Sequence, residues 1–193
     1  MKEITIQVPD GKKAEWKEVN GITTLVLMDE EVKDNRPVTE RIKTFNDALE
    51  ELGEEHPLVK EYWEVVNVDF DIHQDLISYL KLRIIATALN EGWEPYFTKD
   101  EYRYYPWFYL YTEEELEDKS EEWKKEHSLV LWGGLADYGA SCGLAYVSSG
   151  SAFSNSYADF GARLAVKSDE LATYFGKQFT EIWADYCGPF NRK

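Results

Sequence analysis

One segment of this 193-residue chain matches a catalytic pattern. Residues 139–143 read Gly-Ala-Ser-Cys-Gly, the G-x-S-x-G spacing of a nucleophile elbow, which presents its serine on a sharp turn between a strand and a helix. The residues that follow favour a strand, and His56, His73 and His127 all precede Ser141. The usual order for this elbow is serine, acid, histidine. A serine hydrolase centred on Ser141 therefore requires a convergent triad in another order, and it stays an alternative.

The sequence contains no recognisable metal or cofactor motif. It has no Cys-x-x-Cys and no histidine pair at helical spacing. Asp69, Asp71, His73 and Asp75 alternate like calcium-loop ligands, but the turn glycine and the closing glutamate of such a loop are absent at the required offsets. We interpret them as the solvated start of a helix, where the dipole favours acidic residues. We therefore predict no catalytic residue, no metal and no cofactor, which makes the chain a non-enzyme.

Aromatic residues give a stronger indication of binding. Residues 93–111 contain ten Trp, Tyr or Phe among nineteen, and residues 102–111 are typical of a strand, with Pro106 at an edge or a bulge. Alternate side chains of this strand line the core, and the others face another element or a ligand. Residues 133–156, rich in Gly and Ser, are predicted to form loops that carry a partner-specific surface. The candidate ligand- or partner-binding residues are Tyr102, Tyr104, Tyr105, Trp107, Tyr138, Tyr146, Phe153 and Tyr157. We expect a pocket beside Tyr104, Trp107 or residues 133–156.

The charge of the chain restricts its partners. It has 21 basic and 37 acidic residues, a net charge of −16, and nearly all of the acidic excess lies in residues 1–131. Such a surface repels the phosphates of nucleic acids and the anionic face of a bilayer, so we expect no direct nucleic-acid binding and no membrane contact. The ordinary explanation of this acidic excess is that it keeps the protein soluble. The more specific explanation is that it attracts a basic partner. Glu114, Asp118, Glu121 and Glu122 on a predicted helix over 113–127 leave an acidic DNA-mimic inhibitor as an alternative, although lysines interrupt that row.

The predicted helices and strands that position these residues indicate an α+β fold. In this fold an antiparallel sheet packs against two principal helices, and a β-hairpin or meander lies at the N-terminus. Residues 1–37 form the meander and a linker. Residues 3–8 alternate like a strand, and Asn20-Gly21 between two apolar runs predicts a tight hairpin. Residues 38–193 form a single α+β domain.

Helix boundaries are marked within that domain. Thr44 and Asp47 form a capping box, and Gly53 ends the short helix that they begin. The first principal helix is predicted over 71–89, and the second begins after Ser168 and ends before Gly188.

The remaining segments are predicted to form shorter elements. Residues 58–66 fit either a helix or a strand. Residues 128–132 are predicted as a strand, residues 133–161 as two or three short strands joined by tight turns, and residues 163–166 as a last strand.

The chain has the composition of a cytosolic protein. Its two cysteines, Cys142 and Cys187, cannot form a disulfide framework. It contains no apolar run long enough for a transmembrane helix, and its charged, alternating first residues do not resemble a signal peptide.

Several segments resemble a family of small proteins, without an assigned activity, from gut bacteria, their prophages and bacteriophages. The matching blocks are TERIKTF (39–45), ALNEGWEP (88–95), EYRYYPWF (101–108), FGARLA (160–165) and the closing helix KSDELATYFGKQFTEIW (167–183). The resemblance implies a phage or mobile-element gene, whose product acts in the cytoplasm of a bacterial host or is packaged in the virion. It implies no catalytic residue.

From these observations the sequence predicts a non-enzymatic binding protein of phage or prophage type, acting on a host protein or a small ligand. The alternatives are a structural component of the virion, the serine hydrolase and the DNA mimic.

Overall fold

The computed structural model describes residues 5–19, 21–29, 34–68, 74–96, 98, 100–132, 142–153 and 162–188. Contacts divide the chain into two compact units, Met1–Arg36 and Pro37–Lys193. Helices and antiparallel sheets occur together, so the predicted α+β class is confirmed.

The first unit contains an antiparallel hairpin of β1 (Lys12–Val19) and β2 (Ile22–Asp29), with Val19 opposite Ile22 at the turn. Gly21 has a φ of 76°, the left-handed conformation for which Asn-Gly was predicted. The strand predicted over 3–8 is wrong for residues 5–8, which form no regular structure. The predicted meander is therefore a two-stranded hairpin, because the segment before it has no strand to pair with among the described residues.

Four helices open the second unit: α1 (Val38–Arg41), α2 (Phe45–Leu52), α3 (Pro57–Val66) and α4 (Gln74–Asn90). The predicted capping box is present at α2, where the Thr44 hydroxyl accepts from the Asp47 amide, and Gly53 ends this helix with a φ of 78°. The segment that the sequence left open is the helix α3, which Pro57 begins at its first position.

The sheet of this unit has three strands, β3 (Tyr102–Thr112), β4 (Val130–Trp132) and β5 (Cys142–Phe153), in the antiparallel order β3-β5-β4. Residues 142–153 form one continuous strand, so the short strands and turns predicted there are wrong. Strand β5 pairs with β3 along its length, and a bulge falls between Trp107 and Phe108.

Two further predictions are wrong. Residues 163–166 do not form a strand: Ala162–Leu164 is a 3-10 turn, after which Val166 makes one antiparallel bridge to Tyr104. The single helix predicted over 113–127 is two short helices, α5 (Glu113–Glu117) and α6 (Glu121–Glu126). The new start follows from Ser120, whose hydroxyl accepts from the Trp123 amide as a helix cap.

The last principal helix is α7 (Asp169–Gln178), which continues as α8 (Thr180–Cys187) after a break at Phe179. As predicted, Ser168 caps its start by accepting from the Leu171 amide. Helix α7 lies directly on β3 and β5, and α8 contacts β4 and β5.

The main core lies behind this helix layer. Helix α4 packs chiefly against α2, α3 and α8, and it is buried on several sides, with Leu82, Ile84, Ile85 and Leu89 inaccessible to solvent. Trp183 of α8 is also fully buried and contacts Phe108 of the sheet, with ring centres 5.3 Å apart. The unit is therefore layered as sheet, then α7 and α8, then α4, which leaves the outer face of the sheet away from the core.

Candidate functional site

The outer face of the sheet carries a row of aromatic side chains. Strand alternation directs Pro106 and Phe108 towards α7 and α8, where Phe108 meets Trp183. The intervening positions therefore face outward, and all four are aromatic. We call them the aromatic ladder: Tyr105, Trp107, Tyr109 and Tyr111.

The strand beside the ladder supplies small residues. Opposite the four aromatics, in order, stand Gly150, Ser148, Ala145 and Gly143 of β5. A Cβ atom at position 150 would lie only 1.9 Å from Nε1 of Trp107, so the indole occupies space that only glycine leaves open. Gly150, which with its neighbouring serines suggested a turn in the sequence, thus makes room for an aromatic ring on a strand.

The middle of the ladder is accessible. Trp107 is 46% exposed and Tyr109 is 52% exposed, whereas Tyr105 is buried and Tyr111 is half-buried. The rings of Tyr109 and Tyr111 lie 4.7 Å apart, which fixes Tyr109 against its neighbour. Aromatic rings exposed on a hydrogen-bonded strand present apolar area at a low entropic cost of ordering.

Helices α5 and α6 close one end of the ladder. Trp123 packs edge-on against Tyr111 at 5.3 Å, and His127 stacks on Trp123 at 4.2 Å. The ammonium of Lys119 lies 5.0 Å from the centre of the Trp123 ring. Nδ1 of His127 is 2.9 Å from the Trp123 carbonyl oxygen, so this histidine serves packing and helix termination.

The surface beside this end is acidic. Residues 113–126 contain eight acidic and three basic side chains, and none of the eight acidic side chains is buried. Because they are divided between α5 and α6, the single helical row of Glu114, Asp118, Glu121 and Glu122 assumed for a DNA mimic is not formed.

The predicted site residues take different positions. Trp107 and Tyr105 belong to the ladder, and Tyr102 is exposed at the start of β3. Tyr104 is half-buried and exchanges two backbone hydrogen bonds with Val166, of 3.1 and 3.0 Å.

Tyr146 is a core residue on the inner face. Its hydroxyl donates to Thr173 of α7 at 3.0 Å, and its side chain is 5% exposed. The backbone of Phe153 pairs with Tyr102 in the sheet, while Tyr138, Tyr157 and the Phe153 side chain lie outside the described residues.

Sequence reasoning missed Tyr109 and Tyr111. Both follow Trp107 at two-residue spacing, so extending the strand alternation by two steps would have included them.

The catalytic patterns of the sequence find little support in the geometry. Ser141 lies outside the described residues, but the segment that follows it is strand β5, and a nucleophile elbow requires a helix there. The ring of His56 accepts from the Leu58 amide as the cap of α3, and His73 lies outside the described residues. Burial raises the pKa of the Cys187 thiol to about 11, so it is not a thiolate near neutral pH. Among the residues that the structure describes, no cluster of three His, Cys, Asp or Glu could hold a metal.

A cavity of about 460 Å³ lies away from the ladder. It is formed between the start of α3, the second half of α4, residues 93–95 and residues 163–165. None of the eight predicted site residues lines it.

No helix in the described ranges has the length and apolarity needed to cross a bilayer. Compared with protein-family models, with curated proteins and with solved structures, the chain finds no match in any of the three.

Proposed function

We propose that this chain is a non-enzymatic binding protein and that the aromatic ladder contacts a partner protein. The observation that carries the proposal is the exposure of Trp107 and Tyr109 on β3, an edge strand of the sheet that pairs with β5 along its length. Tryptophan and tyrosine are strongly enriched among the residues that dominate binding energy at protein interfaces.

The composition of the ladder supports recognition over simple packing. The inner face of the same strand already supplies the core contacts, through Phe108 and Pro106. Trp107 and Tyr109 are not among the residues of that core, and leaving Trp107 about half exposed keeps apolar surface in water. A partner that covers these rings would recover that free energy.

The charge beside the ladder indicates the chemistry of the partner. The acidic α5 and α6 flank the ring of Tyr111, and the whole chain carries a net charge of −16. We therefore assign a basic protein surface as the partner, whose Arg or Lys side chains stack on Trp107 and Tyr109 while others meet the acidic rim.

The test is a quantitative pull-down from bacterial host lysate with three baits. These are the wild type, Trp107→Ala/Tyr109→Ala, and Trp63→Ala, which removes a tryptophan of matched exposure (45%) from α3. We expect a protein with a basic surface to be retained by the wild type and by Trp63→Ala. Its retention by the double variant should fall by about tenfold or more, because truncating central aromatic anchors typically costs at least that much.

Thermal melting of each bait shows whether it is folded, and Trp107→Ala alone serves as a milder second variant. Retained proteins that are all acidic, or that bind all baits equally, would show that the ladder is not the binding surface.

We also propose a phage or prophage origin, with action in the cytoplasm of the bacterial host. The resemblance of residues 101–108 and of the closing helix to phage and prophage proteins supports this. Mass spectrometry of purified virions and of infected-cell cytosol distinguishes the two locations. Detection at fixed stoichiometry in virions would favour the structural alternative.

A further inference from the structure

The cavity beside α4 has a charge opposite to that of the chain. Arg83, Arg163 and His56 line it, and Glu94 is the one acidic residue among the lining residues that the structure describes. The chain has 37 acidic and 21 basic residues, so its net charge is negative. Two arginines that face one cavity reverse the sign of the charge at this place. A cavity of this sign attracts an anion from solution.

The two arginines retain hydrogen-bonding capacity. Among the described residues, Arg83 makes one ion pair, from Nη1 to Oε2 of Glu61 at 3.2 Å, and its guanidinium lies 5.8 Å from the ring centre of Tyr79. Arg163 is exposed, and it makes no ion pair or hydrogen bond within the described part of the chain. The forked guanidinium group matches the two oxygens of a carboxylate or a phosphate.

His56 adds a further hydrogen-bond donor. Its Nδ1 accepts from the Leu58 amide at 3.2 Å. In the neutral ring, the proton must then be on Nε2, which leaves an N–H that can donate to an anion.

The walls of the cavity are fixed by buried hydrogen bonds. Asn90 is 5% exposed; its Nδ2 donates to the Ala165 carbonyl at 2.9 Å, and its Oδ1 accepts from the Lys167 amide at 3.1 Å. These bonds hold the segment that carries Arg163 against the C-terminal end of α4. Arg83 lies on the same helix, two turns before Asn90.

The remaining walls are apolar and planar. The indole nitrogen of Trp93 already donates to Glu101 at 3.0 Å, so the rest of this ring is available as an apolar surface. Pro57, Leu58 and Pro95 complete these walls. The volume of about 460 Å³ is within the range of small-molecule sites, which is about 300–1,000 Å³.

From this geometry we infer that the cavity, which we call the arginine cleft, binds a small organic anion with a planar ring. The carboxylate or phosphate pairs with Arg83 and Arg163, and the ring lies against Trp93. This site shares no residue with the aromatic ladder. Its test is therefore independent of the test of the proposed function.

Calorimetric titration with three probes tests the inference: adenosine monophosphate, indole-3-carboxylate and inorganic phosphate. The proteins are the wild type, Arg83→Gln, Arg163→Gln and Arg36→Gln, the last of which removes one arginine charge from the other unit of the chain. We expect at least one ring-bearing anion to bind the wild type with a Kd below about 1 mM, a modest affinity for a site of this size. Each cleft variant should weaken binding by about tenfold or more, and Arg36→Gln by less than about twofold.

The two organic probes distinguish a phosphate ligand from a carboxylate ligand. Failure of all three probes to bind would overturn the inference, as would binding that both cleft variants leave unchanged. Inorganic phosphate binding as tightly as the ring-bearing anions would overturn the role of Trp93. Because Arg163 is exposed, its variant keeps the fold and remains informative if Arg83→Gln is destabilised.

Discussion

Two glycines set how closely side chains approach the sheet. On the outer face, Gly150 leaves the space that the indole of Trp107 occupies. On the inner face, Gly176 lies where α7 crosses the sheet, and a Cβ atom there would be 2.5 Å from Tyr146 and 2.7 Å from Pro106. At both positions the missing side chain permits a contact that no other residue would allow.

We predict that Gly176→Ala destabilises the protein, although alanine is the better helix former. The added methyl group forces apart the helix and the sheet, which lowers the free energy of unfolding by about 1–3 kcal/mol. Urea denaturation followed by circular dichroism measures the change.

The double variant Gly176→Ala/Tyr146→Leu tests the cause. Removing the ring should relieve the overlap, so that Gly176→Ala costs less in the Tyr146→Leu background than in the wild type. An equal cost in both backgrounds would place the strain elsewhere.

Helix α2 shows how an element boundary is held by local bonds. Oδ2 of Asp47 accepts from the amides of Lys43 and Thr44 at 2.9 and 2.8 Å, and the Thr44 hydroxyl accepts from the Asp47 amide at 3.2 Å. The two backbone bonds keep the pKa of Asp47 below its ordinary value of 3.8. The ionised carboxylate is therefore the form that stabilises the helix start.

We predict that Thr44→Ala lowers the free energy of unfolding at pH 7 by about 1 kcal/mol, the usual cost of losing a helix cap. Asp47→Asn should also destabilise at pH 7. Since the folded-state pKa is depressed, the contribution of Asp47 is present above about pH 4 and is lost as the pH falls through the folded-state pKa. The difference between wild type and Asp47→Asn should thus shrink from pH 7 to pH 3.

Urea denaturation at both pH values checks this expectation. Glu50→Gln is the control, because it removes the same charge from an exposed position of α2 that makes no capping bond. A difference for Asp47→Asn that stays constant with pH would rule out the ionised cap.

Strand β5 shows where local pattern misleads. Its residues Ser148, Ser149, Gly150 and Ser151 have the composition of a turn, yet they form a strand. The reason is that they pair in register with Trp107, Pro106, Tyr105 and Tyr104, and the indole of Trp107 fills the space that Gly150 leaves. Composition within a few residues does not contain this information, because the aromatic partners lie more than forty positions away.

At the scale of the whole molecule, stability resides in the second unit. Every residue of the main core cluster lies at or after Val38. In the Met1–Arg36 unit, no described side chain is buried, and Trp16 and Ile22 are 68% and 67% exposed. Hydrophobic burial, the main favourable contribution to folding, is therefore concentrated from Pro37 onward.

We predict that the fragment Pro37–Lys193 folds by itself and melts within about 3 °C of the full chain, since removing unburied residues changes stability little. Differential scanning calorimetry of both proteins gives the comparison. A fragment that has lost the cooperative transition would show that residues before Pro37 are required for the core.

The sequence by itself determined the features held by neighbouring residues. The Asn-Gly hairpin, the capping box at Thr44, the end of α2 at Gly53 and the cap at Ser168 all depend on contacts within a few positions. The alternation of residues 102–111 likewise predicted a strand with one face on the core. The same alternation does not indicate which elements cover each face of that strand.

Only the tertiary structure decided the features that join distant positions. Tyr105 stands opposite Gly150, and Asn90 bonds to Ala165, 75 positions away. The first pairing makes room for the aromatic ladder, and the second brings Arg163 to the cavity that Arg83 lines. Local propensity carries no record of such pairs, because the free energy that favours them is gained only when the chain has folded and the partners meet.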